Sequence, residues 1–403
     1  MGKMMSIKLT LLKLILAIQH IVLGMFSWSP SRGNSGDMNP ENILLMRTCA
    51  LGDFIFAVPA LVELRNRYPK AKIVLVTAAS ANASLVTLAQ TYSGTNSLPW
   101  LSLMIPSVID EAICINFASF KGLWIDARRR VVELNPYVAI ILANPGDPGL
   151  GLLKKIILLR LLGVRTRIYG WRSRASNRWF RQLQYEAGLF DHHVISPLRS
   201  IAELPGMFKV EEIKVNFPLY IDSGSQTWVE ALWRASGLSD RRIIAVAPGS
   251  IQPHKRWPLE KFISLCQKLA FDFDVYFIVV GTPNDKDLGR RFADKFNGRV
   301  INLAGDTSIS QSAAILERCE LLIGNDGGAM HLGSAMRCPT VSIVSGIEYP
   351  NSIEPWFSQE LAVRHTVSCA PCYSFTHCPL KHNKCIKDLS VHDVYIKCAK
   401  VLS

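Results

Sequence analysis

The sequence predicts an α/β protein made of two doubly wound domains, each a parallel sheet with helices on both faces. Three observations predict it. Short apolar, β-branched runs alternate with helical patterns from about residue 42 onward. The alternation is interrupted by a polar stretch, 217–240, which contains Pro218 and Gly224. The chain has 403 residues, 49% hydrophobic and 19% charged, ample for more than one core at roughly 100–200 residues per domain.

That composition excludes a disordered chain. No stretch reaches the roughly 18 uninterrupted apolar residues of a membrane span, which excludes a polytopic membrane protein. Lys+Arg 45 against Asp+Glu 32 leaves a net charge of +13. Such an excess calls for an anionic partner: nucleic acid, an acidic membrane surface or a phosphorylated substrate.

The elements follow in order. Residues 1–40 form an N-terminal apolar extension and linker. Within it 6–26 are apolar, broken by Lys8, Lys13, Gln19 and His20, which suits a secretory signal, an interfacial helix, a weak anchor or an upstream extension with no part in the fold. Residues 41–216 form the first domain, with strands at 43–46, 71–77 and 138–142 and a helix over 51–67 ending before Pro69. The inter-domain linker 217–240 carries a short helix around 228–235. Residues 241–350 form the second domain. Its strands are 243–247, 275–280, 299–303, 321–323 and 340–344. Its helices are 258–269, with Pro258 in the first helical position, then one capped by Ser308 and running through Arg318, and 327–336. Residues 351–403 form a Cys-rich tail and a final helix, opened by Ser390 with Asp393 three positions on. The strands' carboxyl ends in the two domains are expected to face a shared cleft, because open α/β sheets bind ligands at that edge.

Five constellations carry chemistry. Arg47-Thr-Cys-Ala-Leu-Gly52-Asp53 leaves the first strand and opens a helix. Gly52 permits a tight turn or close approach. Asp53 suits a general base for a hydroxyl, or a plain helix cap. Pro248-Gly249-Ser250 followed by His254-Lys255-Arg256-Trp257-Pro258 joins a strand to a helix N-terminus, where the dipole favours an anion. Lys255 and Arg256 suit a diphosphate, or are an ordinary solvated pair. Gly324-Asn-Asp326-Gly327-Gly328-Ala-Met-His331 makes a second such junction, with main-chain N–H groups reachable by phosphate. There Asp326 orders the loop or a ribose, and His331 faces the ligand or is packed. Cys369, Cys372, Cys378 and Cys385 could hold zinc as four thiolates, with His365, His377 and His382 as alternative ligands, but their spacing is not that of a paired zinc-ribbon knuckle and favours reduced structural thiols; the scattered remaining cysteines favour a reducing setting. Lys154 to Arg181 holds nine basic residues and no acid, interleaved with Trp171, Trp179 and Phe180. It suits anionic lipid, a phosphorylated acceptor or a solvated face. No nucleic-acid motif accompanies it.

In this order and spacing the motifs resemble glycosyltransferase family 9, the ADP-heptose:lipopolysaccharide heptosyltransferases and their relatives. The matching pieces are Ala50-Leu-Gly-Asp53 with Pro59-Ala-Leu61, Ala247-Pro-Gly-Ser250 with Lys255-Arg-Trp-Pro258, Asn302-Leu-Ala-Gly305, and Gly324 to His331 with Ala335 and Pro339. The cysteine tail is similar to a segment many members carry. The resemblance implies a two-domain GT-B fold and inverting, metal-independent transfer that requires no cofactor. It implies that Asp53 is the general base. Ser250, Lys255, Arg256, Asp326, Gly327, Gly328 and His331 would hold the donor phosphates, and Arg47 and Gly52 would lie on the acceptor side. The implied donor is a nucleotide-diphosphate sugar, ADP-heptose. The implied acceptor is a lipopolysaccharide-core or other anionic glycolipid, with the protein cytoplasmic and peripheral on the inner face of the cytoplasmic membrane.

Three departures bear on the donor. Gly327 stands where many members have threonine. The loop after Val280 reads Gly-Thr-Pro-Asn-Asp where several place a ribose-binding glutamate near Pro283. Ser-Gly-Ile follows the strand at 340–344 where Phe-Gly-Pro is usual. Two other classes fit the same architecture: a GT-B nucleotide-sugar epimerase, and a catalytically degenerate sugar-nucleotide-binding protein.

Overall fold

A computed structural model of the protein describes residues 17–18, 21–28, 39–48, 50–78, 86–87, 99–103, 108–115, 122–143, 149–171, 182, 184–186, 188 and 190–403. Cys49 and the distal part of the basic run, with Arg172, Arg174, Arg178, Trp179, Phe180 and Arg181, lie outside the described residues, as does most of the N-terminal extension. The chain divides into two compact units, 1–216 and 217–403.

The first unit is built on strands β1 (Asn42–Met46), β2 (Lys72–Ala78), β3 (Val86–Thr87), β4 (Glu111–Ile115), β5 (Val138–Ile141) and β6 (Ile168–Tyr169), in the order β3-β4-β2-β1-β5-β6. All pairs are parallel except β3 on β4, an antiparallel edge that the strand-helix alternation did not foretell. The described helices of eight or more residues here are α1 (Leu51–Arg67), α2 (Gly122–Leu134), α3 (Gly149–Leu161) and α4 (Ile195–Ala202). β1 is central and apolar from Ile43 to Met46, and its neighbours β2 and β5 lie on opposite sides, so the sheet changes winding direction beside it. α1 starts at that switch point, where open α/β sheets place ligands.

Residues 21–27 are helical and join this core. Leu23 is 2% exposed and packs in the same cluster as Leu152, Ile156 and Leu159 of α3. Arg160 donates to the carbonyls of Phe26, Ser27 and Trp28, satisfying the end of that helix. The reading of this segment as an extension with no part in the fold is thereby corrected.

The second unit holds β7 (Arg242–Ala247), β8 (Val275–Val279), β9 (Val300–Asn302), β10 (Leu321–Asn325) and β11 (Thr340–Ile343), all parallel, in the order β11-β10-β7-β8-β9. Its described helices of eight or more residues are α5 (Ser223–Ala235), α6 (Leu259–Asp272), α7 (Lys286–Lys295), α8 (Ile309–Glu317), α9 (Gly328–Ala335) and α10 (Val391–Leu402). Leu259, Phe262, Ile263, Cys266 and Leu269 do form the buried stripe of α6. Pro258 occupies its N-cap, one position before the expected place. Ser308 and Gln311 form a reciprocal capping box on α8, and Ser390 and Asp393 form another on α10, each cap worth about 1 kcal/mol. α10 buries Val394, Cys398 and Leu402 in the core that α6 lines. α5, capped by Asp222, runs for 13 residues where a shorter helix was expected.

Candidate functional site

β7 and β10 are neighbours, and each ends in a loop opening a helix or a helical turn. Those two loops carry the second and third sequence motifs. The sheet winds outward from this pair in both directions, which makes their carboxyl ends the switch point of the second unit.

One residue that sequence reasoning left without a role joins the loops. Asn325, the last residue of β10, is 2% exposed. Its Nδ2 donates to Pro248 O at 2.7 Å, and its Oδ1 accepts the Trp257 N–H at 2.8 Å. A single amide thus pins both ends of loop 248–257. Trp257 anchors the far side, with its Nε1 donating to Leu389 O at 3.0 Å. Arg256 donates through Nε to Ser250 O at 2.8 Å, so it braces the loop whose anion-binding role was expected of it.

Lys255 projects from this frame onto Asp326. Nζ and Oδ2 are 2.8 Å apart, with side chains 13% and 6% exposed. His331 Nε2, on the first turn of α9, lies 3.8 Å from Asp326 Oδ1 and is equally buried. Burial pushes the Asp326 carboxyl up, but Lys255, His331 and Arg364 outweigh it and hold the group below the ordinary carboxylate range. The motif therefore brings Lys255, Asp326 and His331 into one cluster. Asp326 faces a lysine and a histidine, so its carboxylate orders the loop.

α9 starts beside this cluster with no side chain capping it. Its backbone N–H groups and positive dipole end are available to an anion. Gly327, its N-cap, has an extended backbone at φ 170, and a Cβ there would meet nothing nearer than Asn325 O at 3.8 Å. Glycine is not required at this position. Gly327→Thr is expected to fold normally, with stability within about 0.5 kcal/mol of the parent in a denaturant titration. Gly249 is different, since a Cβ there would overlap the Asp285 carboxylate. Asp285 is buried and accepts from Thr282 N at 2.9 Å and Thr282 Oγ1 at 2.7 Å, closing a capping box in the loop after β8. This internal role occupies the acid nearest the place where a ribose-binding glutamate was looked for. Gly249→Ala is expected to cost about 1–3 kcal/mol by overpacking, read as a lower melting temperature.

Arg364 is a second residue that sequence reasoning passed over. It donates to the Glu354 carboxylate at 2.7 Å and to the carbonyls of Ser345, Glu348 and Tyr349 at 3.0, 3.0 and 3.3 Å. It shapes the loop after β11. A lone arginine in the apolar run Leu361-Ala-Val-Arg364 was the available signal.

The cysteine segment braces the same region. Cys372 N–H donates to Gly346 O and Tyr373 N–H to Ile347 O, both at 3.0 Å, and His254 Nε2 lies 3.3 Å from Ser374 O. Cys369, Cys372, Cys378 and Cys385 are part-exposed free thiols. Among the described residues no three His, Cys, Asp or Glu side chains converge as a metal-ligand set.

In the first unit, Asp53 is the third residue of α1, and Ala50 is the N-cap. The capping role weighed for Asp53 is therefore absent. Its charge lies in the first turn, where the helix dipole favours it. Gly52 lies within the helix, outside the positive-φ glycines, so no tight turn depends on it. Arg47, expected on the acceptor side, is 2% exposed and donates to Asp53 O at 2.6 Å and Leu142 O at 3.1 Å. It supports the backbone that carries Asp53.

A family model described as glycosyltransferase family 9 (heptosyltransferase) matches residues 150–383. Among curated proteins the chain is similar to a lipooligosaccharide heptosyltransferase 2 of Campylobacter jejuni, 29% identical over 158 residues, covering 38% of this chain and 49% of that protein. The aligned part spans about half the length of the first curated relatives it matches. Among solved structures it is similar to a family 9 glycosyl transferase of Veillonella parvula, with TM-score 0.66 and 20% identity, covering 91% of this chain and 99% of that one. It is also similar to the ADP-heptose lps heptosyltransferase II of Escherichia coli, with TM-score 0.61 and 20% identity, covering 90% and 98%. These likenesses establish the GT-B fold class.

Proposed function

The chain belongs to glycosyltransferase family 9, and from that membership we propose that it transfers heptose from ADP-heptose to a lipopolysaccharide-core or related lipid-linked acceptor. The observation that carries the reading is the Lys255–Asp326–His331 cluster at the uncapped start of α9, with both loops pinned by Asn325. A part-buried lysine and a helix N-terminus without a side-chain cap, side by side, suit a diphosphate. The heptosyltransferase name of the Campylobacter relative supports the sugar.

The mechanism follows from charge. The acceptor hydroxyl attacks the anomeric carbon as the diphosphate leaves from the opposite face, which inverts the centre. Negative charge grows on the leaving phosphate, where the Lys255 ammonium and the N–H groups of Gly327 and Gly328 stabilise it. Asp53 takes the hydroxyl proton as the new bond forms. Arg47 holds the backbone beneath it. Ser250 and Arg256 keep the donor loop in shape, and His331 supports Asp326. This scheme needs no cofactor and no metal. A lipid-linked acceptor places the reaction at a membrane surface, with the protein peripheral on the inner face of the cytoplasmic membrane.

The test is nucleotide release from ADP-, UDP-, GDP- and CMP-sugars, with and without a lipopolysaccharide-core extract. Acceptor-dependent ADP release is expected, and it should vanish in Asp53→Ala. Epimer formation without acceptor, or nucleotide binding with no turnover of any donor, would replace this reading with one of the alternative classes.

A further inference from the structure

The helix over residues 21–27 carries apolar side chains on both its buried and its exposed sides. Leu23, Gly24 and Ser27 face the first unit: Leu23 and Ser27 are each 2% exposed, and a Cβ on Gly24 would lie 3.4 Å from the Trp171 ring. The opposite side carries Ile21, Met25 and Trp28, which are 65%, 75% and 61% exposed. Steps of four and three residues put those three on one helical face.

α3 continues the surface. Its buried stripe is Leu152, Ile156 and Leu159, while Leu150, Ile157 and Leu161 stand 74%, 42% and 55% exposed on the other side. Lys154 is exposed on that same stripe, and Arg167 is exposed just past the helix. Arg160 ties the two helices together through the carbonyls of residues 26–28. Two helices that share one buried cluster thus each carry an exposed apolar stripe, with Trp28 at the end of the first, Lys154 on the second and Arg167 just past it.

We propose that this surface docks on an anionic lipid bilayer, with Ile21, Met25, Trp28, Ile157 and Leu161 entering the headgroup–acyl boundary and Lys154 and Arg167 meeting lipid phosphates. Apolar side chains flanked by Lys and Arg with Trp among them are what such an interface favours. A protein partner for the same apolar area would leave the basic rim unmatched. The surface deepens the reading of a lipid-linked acceptor and rests on it for its purpose, but its physical test stands apart.

The test is co-sedimentation of the full chain with vesicles of phosphatidylcholine alone and of phosphatidylcholine with about one third phosphatidylglycerol. Binding to the anionic vesicles is expected, weakening as salt rises. Ile21→Asn/Met25→Asn/Trp28→Asn is expected to lower the affinity at least about tenfold, and Ile157→Asn/Leu161→Asn, on the other helix, to lower it as well. Lys154→Glu/Arg167→Glu should abolish the preference for anionic vesicles. These positions are exposed, so melting temperatures should stay near the parent's. Undiminished binding by the folded triple variant would overturn the proposal, as would absence of binding by the parent. Dimerisation of the parent that the triple variant loses would overturn it too, by assigning the face to a second copy. Turnover of a delipidated, water-soluble acceptor, measured on the same preparations, reports on the transferase reading separately.

Discussion

Asp53→Ala is expected to lower the transfer rate about 10²–10⁴-fold, the usual contribution of a positioned general base, while leaving nucleotide affinity near the parent's. The separation follows from the architecture. Asp53 sits at the switch point of the first sheet, and the Lys255–Asp326–His331 cluster sits at the switch point of the second. Removing the proposed base therefore removes no group of the Lys255–Asp326–His331 cluster. The N-cap position of α1 is Ala50, not Asp53, and a melting curve checks that the variant folds. Asp53→Asn keeps the shape and removes the basicity, so it should be as slow as the alanine variant. Single-turnover kinetics with isothermal titration of ADP check both halves. A variant that turns over at the parental rate would remove Asp53 from the chemistry.

Lys255→Met is expected to be the most destabilising change in the Lys255–Asp326–His331 cluster, by about 3–5 kcal/mol at neutral pH, because it strands a buried carboxylate. The pH dependence distinguishes this cause from simple loss of packing. In the parent the Asp326 carboxyl is held below its ordinary range. Its contribution to stability is therefore complete above the unfolded-state value and is lost as pH falls through the lower folded value. In the variant the largest lowering influence is gone, so the carboxyl moves up from where the parent holds it. The variant's deficit is therefore largest at neutral pH and shrinks as acid protonates Asp326. Denaturant titrations at about pH 7 and about pH 5 should show the gap between parent and variant narrowing. A constant gap would point to packing alone.

What was legible in the sequence was local. The caps at Ser308 and Ser390 were both legible, and so was the partner of Ser390, Asp393, whereas Gln311, the partner of Ser308, was not singled out. The long apolar strands β1, β2, β7 and β10 were equally plain. β4 was not, because Glu-Ala-Ile-Cys-Ile opens on a charge that turns out to be buried between Lys72 and Arg130. β3 and β6 are two residues each, too short for a period to register. The donor motifs could be read as anion sites because a glycine-rich strand–helix junction has few other uses. Their internal wiring was hidden. That Asn325 would reach Pro248 and Trp257, or that Arg160 would grip residues 26–28, depends on contacts between residues 68 to 134 positions apart. Arg47 shows the converse: its type and position suggested a ligand contact, and burial made it a buttress.

The fan of hydrogen bonds from Arg364 shows which position of its loop is the most exacting. Three of its four acceptor residues, Ser345, Glu348 and Tyr349, offer main-chain carbonyls, which every amino acid provides, and only Glu354 offers a side chain. Those three contacts therefore do not depend on which side chains stand at 345, 348 and 349. Burial still limits what fits there, since Ser345, Ile347, Glu348 and Tyr349 are all buried and a Cβ on Gly346 would meet Ala370. The anchor is more demanding still, because lysine at 364 would keep the charge but has no planar fork to span those acceptors.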